Sequence, residues 1–438
     1  LAAGERAMDK KAVAWLYRQL PVLVAKEIIT AESAERLKQH YGPVEGSTGT
    51  KTFLLVFGVI GALLIGLGII LILAHNWEQL TRLNRLIISL GLLVLTQIIS
   101  GWVRWYKRDS VIWREAAATL QLLMIGAALA LVGQTYHLVE DIDSFLLVWM
   151  LLSLPLIYLL NSGAAAVLYI IGITNWAAGG YFDVSKQFVW VLLGSIGPYY
   201  YGLLKNNRYT NTFAILSWVL LICFYICFNA AFSNHLERLS FLIYSALFAL
   251  TYLAGKLWFA GQEQSGRLPF TAVGVAGSLI ITFILTFNHV WHYFIDRDRY
   301  PVTDGAYGLV LVLLVLVTAG IVKLAKERQD WRFALLPYVI ALAYIVQSFD
   351  SSQLSAPVIM NGCMLGLSIS IITAGVRRCR IGVVNLGMVL IAALIMARFF
   401  DVDVSFIVRG VVFVLIGIGF LVANVVLVRR KAGWHSEK

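Results

Sequence analysis

From Lys51 to the Arg429-Arg430-Lys431 cluster, apolar runs of about 18 residues or more follow one another with only short polar links between them. Nothing else in the chain constrains its fold so strongly. Hydrocarbon offers a backbone N–H or C=O no water to bond, so each run must satisfy its own backbone and folds as a helix. Fourteen candidate spans can be marked, near 53–74, 85–105, 116–137, 145–160, 164–180, 188–204, 212–232, 239–259, 269–287, 305–322, 331–349, 357–375, 381–399 and 405–427. The weakest, 145–160, is joined to the next by Asn161-Ser162-Gly163, and that pair reads either as two full spans or as a re-entrant hairpin. The expected fold class is all-α: a polytopic helical membrane protein of about 14 transmembrane helices. A segment at 1–50 precedes a transmembrane domain at 51–428, and a basic tail follows at 429–438.

Charge fixes the direction of threading. The net charge of +11 would suit a nucleic-acid partner, but the basic residues sit in the links between apolar runs, so the membrane reading wins and no nucleic acid is expected. With the N-terminus inside, 27 of the 35 Lys and Arg fall in inner segments. Arg82, Arg85, Lys186, Arg238, Arg297, Arg299, Arg398 and Arg409 are the outer remainder. The bias predicts an even number of spans with both termini cytoplasmic.

Before the first span, residues 9–41 read as a small helical domain outside the membrane. Thr30 is placed as an N-cap, with Glu32 in the first turn of a helix from Ala31 to His40, and Tyr41-Gly42-Pro43 ends it. Leu1 to Ala7 reads as an extension upstream of Met8. Cys223, Cys227, Cys363 and Cys379 do not fall in pairs in outer loops and are expected as thiols. Gly61, Gly66 and Gly68 in the first span, with Gly417 and Gly419 in the last, are expected to allow close helix contact.

Polar groups at membrane depth are the candidates for function, because each needs a partner or a wet cavity. Gly126 to Asp143 begins as an apolar span and ends in Gln134, Tyr136, His137, Glu140, Asp141 and Asp143, and the chain is expected to fold around it. His75, Asn76, Trp77, Asn288, His289, Gln347, Asp350, Asn361, Arg398, Asp401 and Arg409 also fall at outer span ends. Two readings stand: an outward-facing polar cavity, or interfacial residues that each satisfy their own helix end. Arg398 and Asp401 are three apart and expected to pair, while Arg409 sits among apolar neighbours and calls for a partner or an anionic ligand. The substrate-binding set is Trp77, Gln134, Tyr136, His137, Arg398, Asp401 and Arg409, with His137 as a candidate proton carrier. His289, His292, Asp296 and Asp298 have a spacing that permits a metal, yet plain surface is the stronger reading. No metal or cofactor is expected. Walker, HExxH and GxSxG sequences are absent, so ATP hydrolysis, zinc proteolysis and serine hydrolysis find no support.

IITAESAERL in the N-terminal segment, GLGIILILAHNW closing the first span and LVGQTYHL closing the third together carry a resemblance. Over roughly residues 15–180 the chain resembles the bacterial membrane proteins grouped as domain of unknown function 2157, and its ending from Asn385 is similar to the C-terminal part of longer members. The resemblance implies a multi-pass protein of the bacterial inner membrane. It also implies a small membrane partner bearing a GDYxxLxY motif. It carries no activity, so function rests on the residues. Three readings follow: a carrier or lipid flippase-like transporter of an anionic lipid or small molecule, a scaffold or sensor acting with a partner, and a membrane enzyme on a lipid-linked substrate. The carrier leads, and an enzyme is the least supported.

Overall fold

The structure, a computed structural model, describes residues 10–25, 27–41, 48–76, 81–136, 141–179, 185–206, 210–236, 239–259, 268–295, 304–327, 330–350, 354–377, 380–401, 411, 414, 417 and 418. Among them there is helix and no strand. Nine helices of the described residues are long and apolar enough to cross a membrane, and Val56–Gly68, Gly163–Ala178 and Pro269–Ile284 are shorter apolar helices. The chain divides into two compact units, Leu1–Asn207 and Arg208–Lys438.

The first unit opens with α1 (Lys10–Ala25) and α2 (Ala31–Tyr41). They turn on Glu27, whose φ of 56° is left-handed, and bury Leu20 and Ala34. Thr30 caps α2 by accepting from the Ser33 N–H at 3.2 Å, and Glu32 pairs with Arg36 at 2.7 Å, as the N-cap reading requires. Then come α3 (Thr48–Asn76), α4 (Arg82–Tyr106), α5 (Val111–Tyr136), α6 (Ile142–Leu159), α7 (Gly163–Ala178), a 3-10 turn at Ser185–Phe188, α8 (Val189–Gly194) and α9 (Gly197–Asn206).

The axis of this unit is α5. It is apolar all round, and two thirds of its span is buried, because α3, α4, α6 and α7 all pack on it. Small residues make that approach possible. Trp149 of α6 lies across Gly126 and donates its indole N–H to the Leu122 carbonyl at 2.8 Å, and Leu123 lies against Gly66 of α3. Gly66 is thus in close helix contact as expected. Gly61, Gly68 and Gly417 meet nothing within 4 Å among the described residues, and Gly419 lies outside them.

The second unit contains α10 (Asn211–Leu236), α11 (Ser240–Phe259), α12 (Pro269–Ile284), α13 (Asn288–Ile295), α14 (Asp304–Lys326), α15 (Leu336–Phe349), α16 (Ser355–Arg377) and α17 (Ile381–Asp401). In this unit α11 packs closely on α12, where Gly255, Gly274 and Gly277 lie under Thr271, Tyr252 and Phe248. A core of Leu242, Ile281, Leu285, Trp291, Ile340, Ala343, Ala356 and Met360 ties α11, α12, α13, α15 and α16 together.

One expected span is split into two helices, and another stops at its outer end before a further short helix begins. The run at 188–204 is α8 and α9 with a turn at Ser195 and Ile196, and Gly197-Pro198 starts the second piece, where a proline has no helical N–H to lose. The run at 269–287 ends its helix at Ile284, and α13 restarts at Asn288. The link between α6 and α7 is a tight corner with Asn161 at φ 48°, a conformation Asn tolerates better than most residues. Span 405–427 lies mostly outside the described residues.

Candidate functional site

In the first unit the polar groups work at two ends. Glu115 near the start of α5 is 5% exposed, and its carboxylate reaches the start of α7. It accepts from the Ser162 hydroxyl at 2.5 Å, the Gly163 N–H at 2.9 Å and the Ala164 N–H at 2.8 Å. An α-helix leaves its first N–H groups without internal partners, and its dipole favours an anion there, so the carboxylate clamps α7 to α5. Ser162 meanwhile caps the Ala165 N–H at 3.1 Å.

At the other end Asp141 caps α6, accepting from the Asp143 and Ser144 N–H groups at 3.2 and 3.0 Å. Those bonds, from Ser144 first and then Asp143, hold its carboxyl below the usual carboxylate range. A lowered carboxyl contributes stability above its unfolded value and loses it as pH falls through the folded one. Protection of the Asp143 and Ser144 amides, taken against the intrinsic exchange rate at each pH, is therefore expected to fall below the ordinary Asp range and hold steady above it, and unchanged protection in acid would contradict the cap. Asp143 pairs with the buried Lys186 at 2.9 Å, and Lys186 also donates to the Gly179 carbonyl at the end of α7.

The break between α8 and α9 is held by phenols. Tyr158 donates to the Ser195 carbonyl, and Tyr169 donates to the Leu192 carbonyl at 3.3 Å. Gln121, buried mid-way along α5, has an Oε1 with no partner among the described residues.

The second unit gathers polar side chains from four helices at the break after α12. The freed carbonyls there are taken by neighbours: Trp291 of α13 donates to the Leu285 carbonyl at 2.8 Å, and Asn361 of α16 donates to the Thr286 carbonyl at 3.0 Å. Arg398 of α17 lies over the Phe287 ring with its guanidinium carbon 5.0 Å from the centroid. Its Nη2 is 3.5 Å from the Thr286 hydroxyl, the outer limit of a hydrogen bond, so the stacking on Phe287 is the firmer contact. Beside this group, Gln347 of α15 accepts from the Ser355 hydroxyl at 3.1 Å and the Ala356 N–H at 2.9 Å at the start of α16. Asp350 adds the Ser355 N–H at 2.9 Å.

Of the residues expected to bind substrate, Arg398 therefore stands in a built polar group. Gln134 and Tyr136 end α5 as exposed side chains, while Thr135 between them is buried and bonds the Leu131 carbonyl at 2.7 Å. Trp77, His137 and Arg409 lie outside the described residues, as does the side chain of Asp401. Gln134 and Tyr136 belong to the first unit and Arg398 to the second. Cys223, Cys227 and Cys363 form no disulfide, and no metal-binding group of three occurs among the described residues. Asn361, Thr286 and Phe287 gain roles that spacing alone does not reveal, although an Asn at the outer end of an apolar run is a visible signal.

Comparison with family models reaches the first unit. Residues 22–166 match the family described as Predicted membrane protein (DUF2157). The DUF2157 match agrees with the resemblance carried by the sequence motifs. It runs from α1 into the first turn of α7, so the whole Glu115 clamp lies within it, as do Gln134 and Tyr136. Lys186 and the group around Arg398 lie beyond the DUF2157 segment. Comparison with curated proteins and with solved structures finds no match.

Proposed function

We propose that this chain is a carrier, flippase-like in kind, that moves a molecule with an anionic group across the bacterial inner membrane. Fourteen spans with both termini cytoplasmic remain the threading that the charge bias favours. One observation carries the reading: Arg398 is stacked on Phe287 beside an interrupted helix. Irregular backbone at the outer end of a span persists only where protein buries it or water reaches it, and transporter sites are commonly built at helix interruptions. The α12–α13 break, the ends of α15 and α17 and the start of α16 all fall on the side that the charge bias assigns to the exterior. A guanidinium at that place suits a phosphate or carboxylate.

The test is Phe287→Cys in a chain whose four native cysteines are Ser, reconstituted in vesicles and exposed to a small impermeant thiol reagent. Labelling from either face is expected, as alternating access requires. Labelling from one face alone would sink the carrier. Arg398→Gln is expected to lower binding of an anionic ligand by roughly tenfold to a hundredfold, the worth of a charged hydrogen bond.

A scaffold or sensor with a small GDYxxLxY partner is the second reading. The α1–α2 hairpin favours it, because the pair has its own small core and leaves Ile28 exposed at the turn. Removing residues 8–45 separates the two: a carrier keeps its two-sided labelling, and a scaffold loses its partner.

A further inference from the structure

Gln347 and Asn288 leave two complementary polar atoms unused at the end of the second unit that also holds Arg398. Gln347 is 4% exposed, and its Oε1 is fixed by the Ala356 N–H, so its Nε2 is held on the opposite side of the amide. That Nε2 is buried with no hydrogen-bond partner among the described residues, and the same holds for Oδ1 of Asn288. An amide NH2 group needs an acceptor, an amide oxygen needs a donor, and a buried group left unmatched costs about 1–3 kcal/mol. One chemical group satisfies both at once: a hydroxyl, which donates one hydrogen bond and accepts others.

The two residues belong to the same end of the second unit. Gln347 bonds Ala356, and Asn361, five residues along the same helix, holds the Thr286 carbonyl two residues before Asn288. Trp291, Ala343 and Ala356 share one core at this end. Five residues of helix rise about 7.5 Å, a span that a phosphate with a three-carbon hydroxylated arm can bridge.

We infer that this end of the second unit binds a phosphoglycerol-type group, with the phosphate on Arg398 and an arm hydroxyl between Gln347 and Asn288. The inference rests on the carrier reading and names the chemistry of its cargo. The headgroup of an anionic glycerophospholipid and free glycerol phosphate both present that chemistry.

The experiment is native mass spectrometry of the full chain with phosphatidylglycerol and with phosphatidylpropanol of the same acyl chains. Both carry one phosphate charge, and only the first carries hydroxyls. Wild type is expected to retain phosphatidylglycerol about tenfold over phosphatidylpropanol, the worth of one to two hydrogen bonds. Gln347→Met removes the NH2 group but also a cap on α16. Asn288→Ala, which loses no cap, therefore carries the decision and is expected to abolish the preference while phosphatidylpropanol binding stays. Arg398→Gln is expected to lose both lipids. Displacement of the lipid by soluble glycerol phosphate would assign the free molecule as ligand, and resistance to it would assign the lipid; either supports the site. Equal retention of the two lipids by wild type, with only ordered water between the amides, overturns the inference. If Phe287→Cys then still labels from both faces, the carrier stands without it; if labelling is one-sided, both fall.

Discussion

Gly274→Val is expected to abolish accumulation of a folded chain, and Gly274→Ala to lower its thermal midpoint in detergent well below that of wild type. A Cβ on Gly274 would lie 2.5 Å from the Tyr252 nitrogen and 2.7 Å from the Tyr252 Cα. Those atoms are backbone of α11 and cannot rotate away as a side-chain tip can. The same seam admits no Cβ at Gly277, where the Phe248 ring would be 2.3 Å away, or at Gly255, with the Thr271 nitrogen at 2.7 Å. So the two helices must separate along the seam or break. Overpacking costs about 1–3 kcal/mol and occasionally more, and a clash with backbone belongs at the upper end. Gly61→Ala and Gly68→Ala provide the control, since nothing among the described residues lies within 4 Å of either added atom. A midpoint equal to that of these controls would refute the seam.

Glu115→Ala is the second large effect. It removes the acceptor for the Gly163 and Ala164 N–H groups in a site that admits almost no water. Each buried donor left unmatched costs about 1–3 kcal/mol, so for the two a loss of roughly 2–6 kcal/mol is expected. Glu115→Gln retains one amide oxygen and is expected to recover part of it. Hydrogen exchange locates the damage: the Gly163 and Ala164 amides should speed up far more than those in the middle of α7. Uniform acceleration along α7 would mean that Glu115 stabilises by bulk alone.

What the sequence makes legible follows from how local its causes are. Thr30 and Glu32 foretell the start of α2 because a cap acts within one turn. The apolar runs foretell the helices because each must satisfy its own backbone. The α8–α9 break has a local sign in Gly197-Pro198, which a hydropathy reading of the 188–204 run passes over. The α12–α13 break has none. Leu285, Thr286 and Phe287 include neither Gly nor Pro, and the side chains that meet Thr286 (Asn361 and Arg398) stand 75 and 112 residues away. Glu115 is visible as a polar residue at a span end, but its partner stands 47 residues on. Arg398 is legible as a candidate because an arginine near hydrocarbon is costly wherever it sits. Asn361 and Gln347 at the same end are ordinary amides until the fold collects them.

The clamps impose an order of manufacture. Glu115 is polymerised before Ser162, Gly163 and Ala164, and Gln347 before Ser355 and Ala356, so the anchor for α7 and the anchor for α16 are each already present when those helices emerge. Each helix can be captured as it leaves the ribosome. The α12–α13 break runs the other way: its carbonyl partner Asn361 and its cation Arg398 are translated long after Thr286. A nascent chain cut between α16 and α17 therefore holds both clamps but lacks Arg398, and the proposed anion site is completed only with α17.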